Sequence, residues 1–251
     1  MQGEKSLSGR NAFVSGAGRN LGRAIALRLA QEGASIGVCV SSNRDEALSV
    51  VDEVTALGVR ATALVGDVSD REAVGRMFSE FRAELGPVGV LVNNASIRPR
   101  QAIEAISELD LDRVIAVNLK GAFFCVQEAL SDMRENGWGR VVNISGIDAF
   151  VGSLHRAHVV ATKAALVGLT RALAAELASI PVNVNAVVPG VFNTTRPAAE
   201  YPGWTEEAQA SQIPLGRIGQ PHELAELVTF AATSPFLTGQ TLHLNGGRYF
   251  G

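Results

Sequence analysis

The sequence is poor in cysteine, histidine and tyrosine, and each scarcity excludes something. Its two cysteines, Cys39 and Cys125, sit in apolar strand-like and helix-like runs. They read as buried thiols rather than a disulfide, which fits a cytoplasmic location. The four histidines are too scattered to supply a metal-ligand spacing, so no metal site is expected. A basic excess is missing too. The net charge is -3, whereas non-specific nucleic-acid binding needs a positive surface. No apolar run reaches the length of a membrane span, so no membrane partner is expected. The first ten residues, MQGEKSLSGR, lack the apolar core of a secretory signal. Internal repeats, linkers and low-complexity tracts are absent as well. What is present is a globular composition, 47% hydrophobic and 19% charged, in 251 residues. That length suffices for a large core, and residues 1–251 are expected to form a single domain.

Apolar strand-like runs alternate with runs of helical spacing. Strands are expected over residues 11–15, 36–40, 61–65, 88–92, 141–145, 182–188 and 241–244. Helices are expected over 21–31, 46–57, 72–85, 111–136, from about 156 onward, and over 222–232. Strands that are apolar throughout and alternate with helices imply a parallel sheet covered on both faces. Right-handed crossovers then give an α/β fold, a Rossmann-type doubly wound sheet of about seven strands flanked by helices.

The expected binding residues lie at strand ends. Ser15-Gly16-Ala17-Gly18-Arg19-Asn20-Leu21-Gly22 joins the first strand to the first helix. Glycine lets a backbone approach a pyrophosphate, and a helix N-terminus favours its charge, so this turn in this context predicts dinucleotide binding. The alternative is a tight strand-to-helix turn. The second strand runs into Ser41-Ser42-Asn43-Arg44, with no acid before Asp45. An acid there would bind the ribose 2′-hydroxyl, and a base accommodates a 2′-phosphate. Ser41, Ser42 and Arg44, with Arg19, therefore favour NADP, with NAD possible; Arg44 as a solvated residue opening a helix is the plain alternative.

Gly66-Asp67-Val68, Asn93-Asn94-Ala95-Ser96, Asn118-Leu119-Lys120-Gly121, Pro189-Gly190-Val191-Phe192-Asn193-Thr194 and the C-terminal Asn245-Gly246-Gly247 follow in order. With the glycine turn they resemble the short-chain dehydrogenase/reductase family along nearly the whole chain. The resemblance implies an oxidoreductase moving a hydride between a nicotinamide and a carbonyl carbon. It assigns adenine contacts to Asp67 and Val68; Asp67 also reads as a helix N-cap. It puts Asn94 and Ala95 along the cofactor cleft, and Pro189, Gly190, Phe192 and Thr194 against the nicotinamide and pyrophosphate. Asn118 is the helix asparagine that fixes a water beside the active-site lysine. Asn20, Ser96 and Asn245 are departures from the family pattern, which has Gly, Gly and Asp.

The centre departs further. Lys163 stands in the apolar helix as the family lysine, expected to bind the cofactor and act in catalysis. Four residues before it the family's tyrosine is replaced by Val159, and thirteen earlier its serine is replaced by Gly146. Val159 exchanges no proton, and loss of a general acid costs about 10² to 10⁴ in rate. Ser145 and His158 precede these positions, again thirteen apart, and are the candidate substitutes; His titrates near neutral pH. His158 as a packing or capping residue is the competing reading. Asp148, His155 and Arg156 lie in the same loop. Tyr201 or Tyr249 could supply a phenol from elsewhere, Tyr249 to a neighbouring subunit. Residues at about 191–216 are expected to form a substrate lid.

The function expected is NADP(H)-dependent carbonyl reduction or alcohol oxidation with a non-standard proton donor, on a small-molecule substrate, by a homo-oligomer (tetramer or dimer). Two readings stand beside it: a non-redox enzyme on the same fold, catalysing proton transfer, elimination or carbon–carbon cleavage, and a non-catalytic cofactor-binding protein.

Overall fold

A computed structural model describes residues 5–195 and 203–251. Seven parallel strands form one sheet in the order β3-β2-β1-β4-β5-β6-β7. They are β1 (Asn11–Ser15), β2 (Ser35–Val40), β3 (Ala61–Val65), β4 (Val90–Asn93), β5 (Gly139–Ile144), β6 (Val182–Pro189) and β7 (Thr241–Leu244). The helices are α1 (Asn20–Gln31), α2 (Arg44–Ala56), α3 (Arg71–Leu85), α4 (Glu108–Ile115), α5 (Gly121–Glu135), α6 (Asp148–Val151), α7 (Ala157–Glu176), α8 (Glu206–Ala210) and α9 (Pro221–Thr233). This is the α/β, Rossmann-type doubly wound sheet that the alternation predicts.

The two faces have separate cores. Val14, Ile25, Leu29, Ile36, Val38 and Val92 pack with α9 on one side. Phe13, Leu64, Phe78, Phe81, Leu91, Cys125 and Val141 fill the other. Alternate residues of β1 and β4 thus serve opposite layers, as the strand period requires. Both thiols are buried and unlinked, and burial pushes Cys39 up to about 12.

Three expectations shift. The fourth strand begins at Val90 rather than residue 88, because the Val88 amide donates to the Asp132 carboxylate at 2.9 Å instead of joining the sheet. The central helix starts earlier, at Glu108, where Ser107 and Asp110 form a capping box. It continues through a π-helical segment, Ala116–Lys120, into α5. The whole stretch Glu108–Glu135 is 28 residues long, with a mean hydropathy of 1.3 in its most apolar window. By length and composition it suffices to cross a membrane, which corrects the expectation that no run is long enough. Here it packs against β4, β5, α3 and α7. Finally, α6 and α8 are short helices that no periodic pattern marks.

The strand order reverses direction of growth between β1 and β4. Connections from their carboxyl ends diverge there and leave a crevice, the usual ligand position in such sheets.

Candidate active site

The glycine turn is held by β4. Ser15 Oγ donates to the Val92 carbonyl at 3.2 Å and accepts from the amides of Asn94 and Ala95 at 3.0 and 3.1 Å. The Asn94 side chain donates to the carbonyls of Ser15 and Gly16, each at 3.0 Å. Asn94 is thus a clasp between two strand ends, and the polar residues after an apolar strand are accounted for. Gly16 has φ +65°, and a Cβ there would lie 3.0 Å from Ala95 Cα and Asn94 Nδ2. A Cβ on Gly22 would collide with the Gly16 carbonyl oxygen. Asn20, at φ 51°, takes the left-handed conformation that Asn tolerates.

The N-terminus of α1 has no side-chain cap and no acid in its first turn. Its open amides lie directly behind the glycine turn and suit an anion. Asn20 also bonds the Thr195 backbone in both directions, at 2.9 and 3.3 Å, tying this turn to the loop after β6. Arg19, Ser41, Ser42 and Arg44 are all exposed at the β2 end. A Cβ on Gly18 would lie 3.2 Å from Glu46 Oε2, so a carboxylate also borders this turn. The residues present fit a dinucleotide: an uncapped helix, a close-approach turn and flanking groups for a ribose or its phosphate.

Asp67 differs from one expectation. Its Oδ1 accepts from the amide and hydroxyl of Ser69, both at 2.8 Å, while Asp70 caps α3 by accepting from Glu72 and Ala73. Asp67 is therefore not the helix cap. Val68 is buried against Gly121. Beyond β6, the Pro189 carbonyl accepts from the Ile147 amide and the Gly190 amide donates to Leu244, joining the loops after β5, β6 and β7. The Phe192 ring is buried in the core beside Gly219, which leaves its backbone for any cofactor contact. Thr194 Oγ1 lies 3.5 Å from the Phe192 carbonyl.

Asn118 lies within the π-helical segment. Its Oδ1 accepts from the Ile97 amide at 2.9 Å, and its Nδ2 donates to the Ile97 carbonyl and Thr162 Oγ1 at 3.0 and 3.2 Å. A π turn shifts side-chain register within a helix, and such turns recur at functional sites. Here it lets a buried amide satisfy the loop after β4, which sequence spacing does not show.

On α7, Lys163 is buried and its Nζ donates to the Ile144 carbonyl at 2.7 Å. Burial, with a smaller contribution from the positive charge of Arg98, pushes Lys163 down to about 7. Ser145 Oγ donates to the Lys163 carbonyl at 2.7 Å. Backbone and side chain of Lys163 thus clamp α7 to the end of β5. Gly146 follows at once, and an ideal Cβ there meets nothing within 4 Å. Val159 is 1% exposed.

Ser145 and His158, the expected substitutes, make no hydrogen bond to each other among the described residues. The Ser145 hydroxyl is committed to a helix carbonyl in a buried position. His158 is 3% exposed and neither ring nitrogen has a hydrogen-bond partner among the described residues. Burial lowers its pKa, opposed in part by Asp110 of α4. Lys163, by contrast, reaches β5. One residue turns a helix by about 100°, so a substitute beside the altered position looks elsewhere. Tyr249 packs in a trio with Phe150 and His243, ring centroids 5.1 and 5.0 Å away. Tyr201 lies outside the described residues.

Sequence reasoning missed Arg98. It is exposed after β4, and its Nη2 donates to Asp148 Oδ2 at 3.1 Å, across the ends of β4 and β5. Arg156 Nη1 stands 3.6 Å from the same oxygen. Position alone was the available signal: an arginine five residues after an apolar strand, beside the cleft. Among the described residues, no group of three His, Cys, Asp or Glu is placed to hold a metal ion.

A doubly wound sheet with a dinucleotide-type turn at its crevice and a buried lysine beside it defines a Rossmann-type oxidoreductase class. The chain belongs to the short chain dehydrogenase family, whose pattern it matches over residues 10–203. It is 40% identical over 242 residues to the 3-oxoacyl-[acyl-carrier-protein] reductase FabG of Staphylococcus aureus, spanning 96% of this chain and 98% of that one. The FabG of Aquifex aeolicus is 35% identical over 249 residues, covering 98% and 100%. Nodulation protein G of Azospirillum brasilense is 36% identical over 243 residues, covering 96% and 98%. Among solved structures, a putative short-chain alcohol dehydrogenase from Sinorhizobium meliloti 1021 superposes with a TM-score of 0.89 at 33% identity, covering 96% of this chain and 97% of that one.

Proposed function

We propose that this protein is an NADP(H)-dependent carbonyl reductase, or the corresponding alcohol dehydrogenase, in which Lys163 itself exchanges the proton that a phenol handles in the wider family. The observation carrying this reading is the buried Lys163 ammonium, pushed down to about 7 and bonded to the Ile144 carbonyl, two residues before Gly146, where a Cβ would meet nothing within 4 Å. A general acid works best when its pKa lies near the working pH. His158 is a poorer donor, because burial keeps its ring neutral at neutral pH.

A bound nicotinamide nucleotide supplies or accepts the hydride. The chain does the rest. Gly16, Asn20, Leu21 and Gly22 present amides to the pyrophosphate; Arg19, Ser41, Ser42 and Arg44 receive the 2′-phosphate; Asp67 and Val68 flank the adenine. Asn94 and Ala95 fix the turn and line the crevice. Pro189, Gly190 and the backbone of Phe192 with Thr194 close the nicotinamide end. Asn118 locks the loop after β4 against α7. The loop after β6 is tied to Asn20 at Thr195, and the lid expected at about 191–216 lies in part outside the described residues. In reduction the Lys163 Nζ–H goes to the carbonyl oxygen; in oxidation the neutral amine takes the hydroxyl proton.

The FabG relatives make 3-oxoacyl compounds the first substrates to test. Glu46 beside Gly18 favours a second cofactor assignment, NAD, because a carboxylate suits a free ribose hydroxyl. We read the protein as cytoplasmic and as a homo-oligomer, consistent with half-exposed Phe123 on α5 and Phe230 on α9.

The test is a binding titration with NADPH and NADH, followed by a ketone and alcohol screen read by NADPH absorbance. Tight NADPH binding with turnover supports the reading. Binding without any absorbance change turns it toward a non-redox enzyme or a binding protein. Failure to bind either nucleotide sinks it.

A further inference from the structure

An ion pair joins the loop after β4 to the loop after β5, beside the 2.7 Å bond from the Gln101 amide to the His155 carbonyl. Arg98 comes from the first and is half-exposed, its side chain at 49%. Asp148 comes from the second, two residues after Gly146, and is 17% exposed. The pair holds the Arg98 guanidinium beside the segment that follows β5 without burying it. An arginine has five N–H donors in a planar fork, and one contact to Asp148 Oδ2 leaves most of them available. Lys163 Nζ bonds the Ile144 carbonyl, four residues before Asp148, so both cations have partners at the carboxyl end of β5. That end is open at Gly146, where a side chain would find no atom within 4 Å. Asp148 is the acid in contact with Arg98, and Arg156 approaches the same oxygen at 3.6 Å, offsetting its charge.

We propose that Arg98 is a specificity-determining residue that docks the carboxylate of a small oxo or hydroxy acid, whose reacting carbon lies over the open space at Gly146. A planar fork pairs with a carboxylate through two parallel hydrogen bonds, a recognition that an ester cannot reproduce. The positive charge of Arg98 further concentrates anions beside it. This deepens the redox reading of the same cleft and rests on it for the reacting carbon, but not for the anion.

The test compares acetoacetate, levulinate and pyruvate with their ethyl esters on wild type, Arg98→Gln and Arg98→Lys. Two readouts are taken on the folded protein: carboxylate binding by saturation-transfer NMR, with and without NADPH, and turnover by NADPH absorbance. The inference expects at least one acid to bind in preference to its ester. The acid-to-ester preference falls about 10- to 100-fold in Arg98→Gln and is partly restored in Arg98→Lys. Arg98-dependent binding of an acid without turnover of any compound sinks the redox reading while the anion site stands. Equal binding of acid and ester, or an acid preference that survives in Arg98→Gln, overturns the inference.

Discussion

The two halves of the crevice are built differently. On the β1–β4 side every polar group that closes a strand end has a partner: Ser15 holds two amides and a carbonyl, and Asn94 holds two carbonyls. On the β5–α7 side, Val159 is buried and apolar, Gly146 leaves a gap, the His158 ring nitrogens have no partner among the described residues, and burial pushes Lys163 down to about 7. In the proposed reading, binding geometry is kept while proton transfer rests on one cation, Lys163. Cofactor binding needs many backbone positions at once and tolerates little change. Proton transfer needs one group of suitable pKa, and a buried lysine qualifies.

The strongest way to break this contrast is to rebuild the altered side. Gly146→Ser with Val159→Tyr is expected to raise the rate of ketone reduction by about 10² to 10⁴. The serine has open room, but the tyrosine enters a packed site and costs about 1–3 kcal/mol in stability. Steady-state kinetics with denaturant melts read both effects; a folded double variant no faster than wild type would contradict the reconstruction.

Next comes the charge state of Lys163 in the nucleotide-free protein. Its folded pKa, about 7, lies below the ordinary lysine value of about 10.4. Between those values the unfolded chain binds the extra proton, so stability rises with pH across that window. The effect is of order several kcal/mol, since each pH unit is worth about 1.4 kcal/mol. Lys163→Met is expected to remove this slope. Melts from pH 7 to 10 in both proteins decide it, and parallel curves would mean that Lys163 is not titrating there.

On the well-satisfied side, Asn94→Ala leaves the Ser15 and Gly16 carbonyls without their donor. It is expected to cost about 1–3 kcal/mol in stability. NADPH affinity should weaken about tenfold, through loosening of a turn whose geometry sets the phosphate contacts. Unchanged affinity would show that β4 does not hold the turn. The smallest effect belongs to His158. Replacing it with Leu removes two unsatisfied nitrogens and should leave stability within about 1 kcal/mol of wild type and turnover within about twofold. A collapse of turnover would return His158 to the mechanism.

Much of this was legible in the sequence. Strands β1, β3 and β7 fall at the expected residues because their apolar runs are bounded by turn residues. The glycine turn, Asn94, Asn118 and Lys163 were legible because each is a polar or glycine residue in an apolar context, which requires a partner or a close approach. The facing of Ser145 and His158 was not. It depends on the rotation of α7 about its axis, fixed by the Lys163–Ile144 and Ser145–Lys163 hydrogen bonds between distant segments. The Arg98–Asp148 pair joins residues fifty apart in sequence, on loops with no regular period. The π segment around Asn118 likewise leaves no periodic signal, because a single wide turn barely disturbs the apolar spacing.

The most direct test of the Lys163 assignment is the pH dependence of NADPH-driven ketone reduction, in wild type and in Lys163→Arg. Arginine keeps a positive charge but does not release its proton at neutral pH. The account predicts a wild-type rate that falls as pH rises through about 7, and an Arg variant that binds NADPH but loses both rate and titration. A wild-type rate independent of pH in this range, or an Arg variant with the same rate and profile as wild type, would contradict it.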